Sequence, residues 1–347
     1  MKRQNKKIIR QRELVVLLFS IFYFLFSGIA LAQFGSLPNL NMAPTLSLSA
    51  DPVTPTPNAG LTVSANLSGI TNVNNSNYAW FLNGARQSSA SGVNKNRFSF
   101  QTEAIGTIYR VGVSVTTPDG GVLSDSILLT VSDLDLTWSA SSEAPASYKG
   151  KLLPGPNSAV VVSARPLIYE PGTRNVFAIA NLTYNWFLND KLQKDKSGPN
   201  RPDFSFRNDA PTGAKNVRLE ARTADGLTSL TKSADIAIVR PQILIYLADP
   251  QTNLPYGNAL KKVILRDEVS VNFAAFNYFW NVGPKQIGWE WSVNNEKIAA
   301  ISDKPWLASF DIPANILKPS ILQIRLMAKN PVNAIESAES LVNMEIR

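Results

Sequence analysis

The sequence predicts an all-β protein: three tandem β-sandwiches that follow an N-terminal apolar helix. Three observations predict it. A tryptophan-centred stretch recurs three times at nearly constant spacing. Each copy alternates apolar and polar residues with period two. Beyond one N-terminal run, no segment carries a 3.6-residue apolar period.

Taken in chain order, the first element is a targeting segment. Residues 1–13 hold six basic side chains (Lys2, Arg3, Lys6, Lys7, Arg10, Arg12) against the single acid Glu13. Residues 14–32, LVVLLFSIFYFLFSGIALA, are uncharged and almost wholly apolar. Positive charge ahead of an apolar run orients the segment N-terminus inward and exports the chain beyond it. Ala30-Leu31-Ala32 supplies a small-x-small cleavage pattern, with Gln33 as the first mature residue. The run is also long enough to span a bilayer as a transmembrane helix. Signal peptide and uncleaved membrane anchor both remain open. Residues 33–45 then read as a polar spacer.

The repeat begins after the spacer. YAWFLNGARQ surrounds Trp80, YNWFLNDKLQ surrounds Trp186, and a weaker WEWSVNNEKI surrounds Trp291. Phe98-Ser99-Phe100 and Phe204-Ser205-Phe206 follow their tryptophans at one interval, and Ser309-Phe310 takes that place in the third copy. Alternating runs come next at Val111/Val113/Val115, Val217/Leu219/Ala221 and Leu322/Ile324/Leu326. Turns close the pattern at Thr117-Pro118-Asp119-Gly120 and Thr223-Ala224-Asp225-Gly226, with Lys329-Asn330-Pro331 in the third place. Period-two alternation in Leu61/Val63/Ala65, Tyr78/Trp80/Leu82 and Tyr184/Trp186/Leu188 puts those side chains on one sheet face, toward a core. The predicted units are 46–132, 133–239 and 240–347. Their junctions, Ser132-Asp133 and Arg240-Pro241, leave almost no linker, so neighbours are expected to abut as a semi-rigid rod.

At these residues the chain resembles the bacterial immunoglobulin-like and PKD-like tandem repeat proteins. Tyr78-Ala79-Trp80 and Tyr184-Asn185-Trp186 match the family's Y-x-W strand, and Gly106-Thr107-Ile108-Tyr109-Arg110-Val111 matches its later G-x-Y-x-V strand. The resemblance implies immunoglobulin-like sandwiches over 46–347; its motifs specify a fold rather than an activity.

Composition excludes several function classes. The chain has no cysteine and no histidine. Disulfides, thiol nucleophiles and Cys-ligated metals are thereby impossible, as is any Ser-His-Asp or Cys-His mechanism. Of the net charge of +8, the first 32 residues supply +5. The remainder is nearly balanced and offers no electrostatic footprint for nucleic acid. No cofactor and no metal site are expected. Asp133 and Asp135 alone sit close enough to suggest interdomain calcium, and a solvated edge accounts for them. Lys191, Lys194, Lys196 and Arg201 read as solubilising charge on a turn.

Three places remain as candidates. The repeated tryptophans lie on inward-alternating strands and are assigned to cores. The second copy carries an insertion from Pro166 to Leu182, a place where sandwiches vary their function, or else an extra edge hairpin. The third copy packs five aromatics into Phe273–Asn281. Alternation allows only about half of them to face one core. Phe276, Tyr278, Phe279 and Trp280 are therefore the candidate partner-binding cluster at the free end, with an enlarged core as the alternative.

The expected function is a non-catalytic exported or cell-surface protein whose stacked domains mediate adhesion, or bind a protein or glycan at the cell surface. The alternative is a structural or assembly component of an envelope machine such as a pilus or secretion system, held in the membrane through residues 14–32.

Overall fold

The computed structural model describes residues 43–347 except 267 and 302. The run 14–32 and residues 33–42 of the spacer lie outside the described residues. The expectation of a transmembrane helix finds no support in the structure: among the described residues no helix is long and apolar enough to cross a membrane. Helical structure there is confined to 3-10 turns of three residues, such as Val73–Asn75 and Pro284–Gln286. The rest of the regular structure is strand, its backbone groups spent in sheet ladders.

Those strands form three pairs of sheets. In the first unit Gly60–Ser68 lies between Thr45–Asp51 and Arg97–Gln101. The facing sheet is ordered Ala85–Arg86, Asn77–Leu82, Ile108–Thr116, Val122–Thr130. In the second, Ala159–Leu167 lies between Asp203–Arg207 and Asp133–Ala140, against Lys191–Leu192, Leu182–Leu188, Gly213–Thr223 and Ser229–Ile238. The third is larger, with two five-stranded sheets. It also holds a parallel pair, Lys262–Leu265 beside Asn333–Ile346. Inward residues of both sheets merge in each unit into one apolar cluster. Burial of apolar area at about 25 cal/mol per Å² is the main term holding such a sandwich together.

Each core is organised by its tryptophan. Trp80, Trp186 and Trp291 are 0%, 0% and 1% exposed. Each indole N–H donates to a backbone carbonyl: Trp80 to Lys95 at 2.8 Å, Trp186 to Arg201 at 2.9 Å, Trp291 to Pro305 at 3.0 Å. A ring this large enters an interior only when its polar N–H is matched, and all three are. Trp80 packs against Phe98 with centroids 5.8 Å apart, and Trp186 against Phe204 at 5.4 Å. In the third unit the matching ring at 6.3 Å is Phe273, from the aromatic stretch, while Phe310 packs only partly buried at the edge of the core.

The turn after each tryptophan strand is copied more closely than its sequence suggests. Asn83-Gly84, Asn189-Asp190 and Asn294-Asn295 all have positive φ. Two consecutive left-handed residues match a hairpin turn to the twist of its strands. Each leading asparagine also accepts, through Oδ1, a backbone N–H from the neighbouring strand: Arg110 at 2.9 Å, Asn216 at 3.0 Å, Gln323 at 2.8 Å. The pairing register is the same in all three copies, but the connection ahead of the partner strand is two residues longer in the third. Trp80 stands opposite Val113 and Trp186 opposite Leu219, whereas Trp291 stands opposite Leu326 rather than Ile324. The buried triple there is accordingly Ile324, Leu326 and Ala328, with Leu322 only partly covered.

Candidate functional site

The aromatic stretch belongs to the strand Ser270–Tyr278 and the residues after it. Val271, Phe273 and Ala275 face the third core. Ala274, Phe276 and Tyr278 alternate onto the opposite sheet face, where Ala274 joins Ala248 and Leu307 in a small separate apolar cluster. Alternation ends at Phe279, whose φ is +62°. For an L-residue with a bulky side chain this conformation costs roughly 1–2 kcal/mol. It lets two consecutive rings be buried, Phe279 at 7% and Trp280 at 0% exposure. The Trp280 indole joins the third core and donates to the Gln242 carbonyl at 3.0 Å.

This bend is where the third unit meets the second. Glu143 and Trp280 form an antiparallel bridge. The Glu143 N–H donates to the Trp280 carbonyl at 2.6 Å, and the Phe279 N–H returns to the Glu143 carbonyl at 2.7 Å. Beside it, the Ser158 hydroxyl donates to Asn281 Oδ1 at 2.6 Å, and the Asn281 amide donates to the Pro156 carbonyl. The Asn281 N–H is accepted by Glu336, a fully buried carboxylate whose other oxygen takes the Asn330 amide at 2.6 Å. Gly155 must be glycine here: an added Cβ would lie 2.4 Å from the Phe279 carbonyl oxygen. The cluster thus sits at the junction between units rather than at a free end.

Part of it still reaches solvent. Phe276 and Tyr278 are half-buried on the outer sheet face. The Tyr246 ring meets Phe276 edge-on with centroids 5.6 Å apart, and its hydroxyl lies 3.4 Å from that of Tyr278. Tyr148, from the 141–158 connection of the second unit, packs edge-on against both Tyr278 and Phe279. Burial, followed by the Tyr246 hydrogen bond, pushes the Tyr278 phenol up to about 12. Tyr278 stays neutral across physiological pH, presenting a ring and a hydroxyl without charge.

The insertion of the second copy is equally engaged. The Tyr169 N–H donates to the Ser132 hydroxyl at 3.0 Å and the Gly172 N–H to Thr130 Oγ1 at 2.9 Å. Gly172 has φ +75° and lies so near Leu128 that a Cβ would come within 2.7 Å of that side chain. Thr54 of the first unit accepts the Ser229 N–H at 3.1 Å. Both junctions are therefore hydrogen-bonded.

Asp133 and Asp135 each turn back to accept the N–H of the following residue. Among the described residues no group of three or more acidic, histidine or cysteine side chains could hold a metal ion. Lys191, Lys194, Lys196 and Arg201 are exposed. Sandwich repeats with no cysteine or histidine, and with no metal-binding cluster among the described residues, are consistent with a non-catalytic protein.

No family model matches the chain. No curated protein matches it either. Solved structures of multidomain β-sandwich proteins do. The three N-terminal domains of the bacteriophage RB49 highly immunogenic outer capsid protein are 13% identical, with 88% of this chain and 99% of that one covered and a TM-score of 0.26. The central fibronectin-III array of RIM-binding protein is 15% identical, covering 87% and 96%, with a TM-score of 0.28. A Bacteroides ovatus mixed-linkage glucan utilization locus protein, SGBP-B, solved with a heptasaccharide, is 12% identical, covering 87% and 70%, with a TM-score of 0.20. The chain is thus similar, at low identity, to immunoglobulin-like and fibronectin-III repeat proteins. At such TM-scores no functional conclusion attaches to any of them.

Proposed function

We propose that the chain is a non-catalytic, exported β-sandwich protein that acts outside the cytoplasm by binding a protein or glycan at the cell surface. Its units are divided at 132/133 and 239/240. The observation that carries this reading is the use made of the aromatic stretch. Phe279 and Trp280 fix the second junction, while Phe276 and Tyr278, with Tyr246 and Tyr148, form a half-buried face of rings and hydroxyls that solvent reaches in part. Aromatic side chains with polar tips give large contact area at low entropic cost, which suits adhesion. The test is retention of the full-length chain on a glycan array and on immobilised cell-envelope protein. Phe276→Ala and Tyr246→Ala are expected to lower retention about tenfold, the effect of losing roughly 1.4 kcal/mol at a contact. Their melting temperatures should stay close to that of the parent chain. Unchanged retention by both variants would remove the face from the proposal.

A second reading is favoured by the junctions themselves. Hydrogen bonds at both hold three units in fixed succession, which suits a structural or assembly component of an envelope machine such as a pilus or secretion system. Co-purification of the native protein with envelope partners, insensitive to Phe276→Ala and Tyr246→Ala, would select this reading over adhesion.

A further inference from the structure

The insertion of the second unit does more than touch the first. Its bridge between Tyr169 and Val176 makes a small hairpin leaning over the 102–107 loop of the first unit. Between them lies a cleft of about 690 Å³ lined by Ile105, Gly106, Ile108, Tyr169, Arg174 and Val176. That volume falls in the range of ligand-binding clefts, and a domain interface is a common place for one. The Tyr169 ring closes one wall over Gly106, where an added Cβ would sit 3.4 Å from the phenol oxygen.

The lining has two chemical parts. Ile105 and Val176 are 37% and 44% exposed, aliphatic side chains left uncovered on the lining of the cleft. Arg174 also lines the cleft, is exposed, and among the described residues it has no carboxylate partner. The neighbouring acid on the same hairpin, Glu170, is instead engaged by the Asn175 amide at 3.2 Å. A guanidinium without a partner offers a forked, charge-assisted contact to a planar carboxylate. The aliphatic floor suits a branched apolar side chain; a sugar ring would call for an aromatic platform, and the sole ring here forms a wall.

We propose that this cleft binds a short peptide segment of a partner protein that carries aliphatic residues next to an acidic one, the aliphatic side chain resting on Ile105 and Val176 and the carboxylate meeting Arg174. The site is independent of the aromatic face at the other junction. Arg174 lies outside every core cluster, so its replacement leaves the fold intact.

The test uses the full-length chain with isotope-labelled isoleucine and valine methyls, observed by NMR. The probe is a blocked tripeptide of two leucines and an aspartate, compared with the same peptide carrying asparagine. Saturable shifts are expected at the Ile105, Ile108 and Val176 methyls, with the asparagine peptide binding about tenfold more weakly, the loss typical of a charge-assisted contact. Arg174→Glu should abolish the shifts without moving the melting temperature. Three results would each overturn the proposal: no saturable shift at millimolar peptide, equal binding of both peptides, or binding of an oligogalacturonate in place of the peptide, which would make the cleft a site for anionic glycan.

Discussion

The sharpest prediction concerns Asn281→Ala. The Asn281 side chain makes two hydrogen bonds across the junction between the second and third units, accepting from the Ser158 hydroxyl and donating to the Pro156 carbonyl. Ser158 is 0% exposed, and Pro156 is buried. Truncation therefore leaves the buried Pro156 carbonyl without the Asn281 donor and the Ser158 hydroxyl without its acceptor, although the Gly155 N–H still donates to Ser158 Oγ at 2.9 Å. At about 1–3 kcal/mol for the orphaned carbonyl and about 0.5–1.5 kcal/mol for the lost hydroxyl bond, the docked arrangement should lose roughly 1.5–4.5 kcal/mol. With 1.4 kcal/mol per decade, the ratio of docked to undocked units falls between about 10-fold and about 10³-fold. The backbone pair between Glu143 and Trp280 survives the substitution, so the lower half of that range is the better expectation. Asn281 belongs to none of the apolar clusters, so each unit should melt near its original temperature. The assay is the distance distribution between spin labels placed on the second and third units, alongside calorimetry. It should broaden while the melting temperatures hold. An unchanged distribution would refute the reasoning, as would a third unit that loses several degrees with its docking intact.

The cores and the charges supply two further predictions. Trp186→Phe keeps a ring against Phe204 but loses the donor to the Arg201 carbonyl. It should cost about 1–3 kcal/mol in urea unfolding, and Trp80→Phe, with the same geometry at Lys95, should cost a similar amount. Glu345 is held down to about 2 by hydrogen bonds from Arg347 and then Lys262. A depressed carboxylate stabilises the fold above its ordinary value near 4.5 and loses that contribution as pH falls toward 2. The melting temperature should accordingly drop across that window, and Glu345→Gln should flatten the drop.

The cores are legible because they are written in local pattern. Trp80, Trp186 and Trp291, the alternation about them and the Thr-Pro-Asp-Gly and Thr-Ala-Asp-Gly turns each recur within a few residues, which periodicity detects. In both Asp-Gly turns the threonine hydroxyl bonds the aspartate and the glycine N–H returns to the threonine carbonyl at 3.0 Å. Asparagine at 83, 189 and 294 stands in all three copies as well, and its recurrence after the tryptophan strand is the available sign of a shared hairpin. The aromatic stretch is less legible. Strict alternation sends Phe279 and Trp280 to opposite faces, and only the left-handed backbone at Phe279 buries both. Nothing in a bulky residue announces positive φ. The longer connection that sets Leu326 opposite Trp291 is hidden for a related reason: Leu322, Ile324, Leu326 and Ala328 alternate equally well in either alignment.

The junctions lie beyond local reading altogether. Ser158 and Asn281 are 123 residues apart, and Thr54 and Ser229 are 175 apart. Yet their placement obeys a rule. Apart from the Thr54–Ser229 contact, each of these crossings has at least one partner in a stretch that breaks the repeat: the 141–158 connection, the Pro166–Leu182 insertion or the bend after Tyr278. A duplicated sandwich can copy its own core, because both partners of every core contact are duplicated together. A contact between successive copies has its two halves in different units, so copying one unit does not reproduce it. Most residues that hold these copies together therefore depart from the shared pattern, as Gly155 and Gly172 do by admitting the neighbouring backbone and side chain. In this chain, departure from the repeat is the sequence signal for contact between units. It points to the same places where the cleft beside Arg174 and the ring face beside Tyr278 are found.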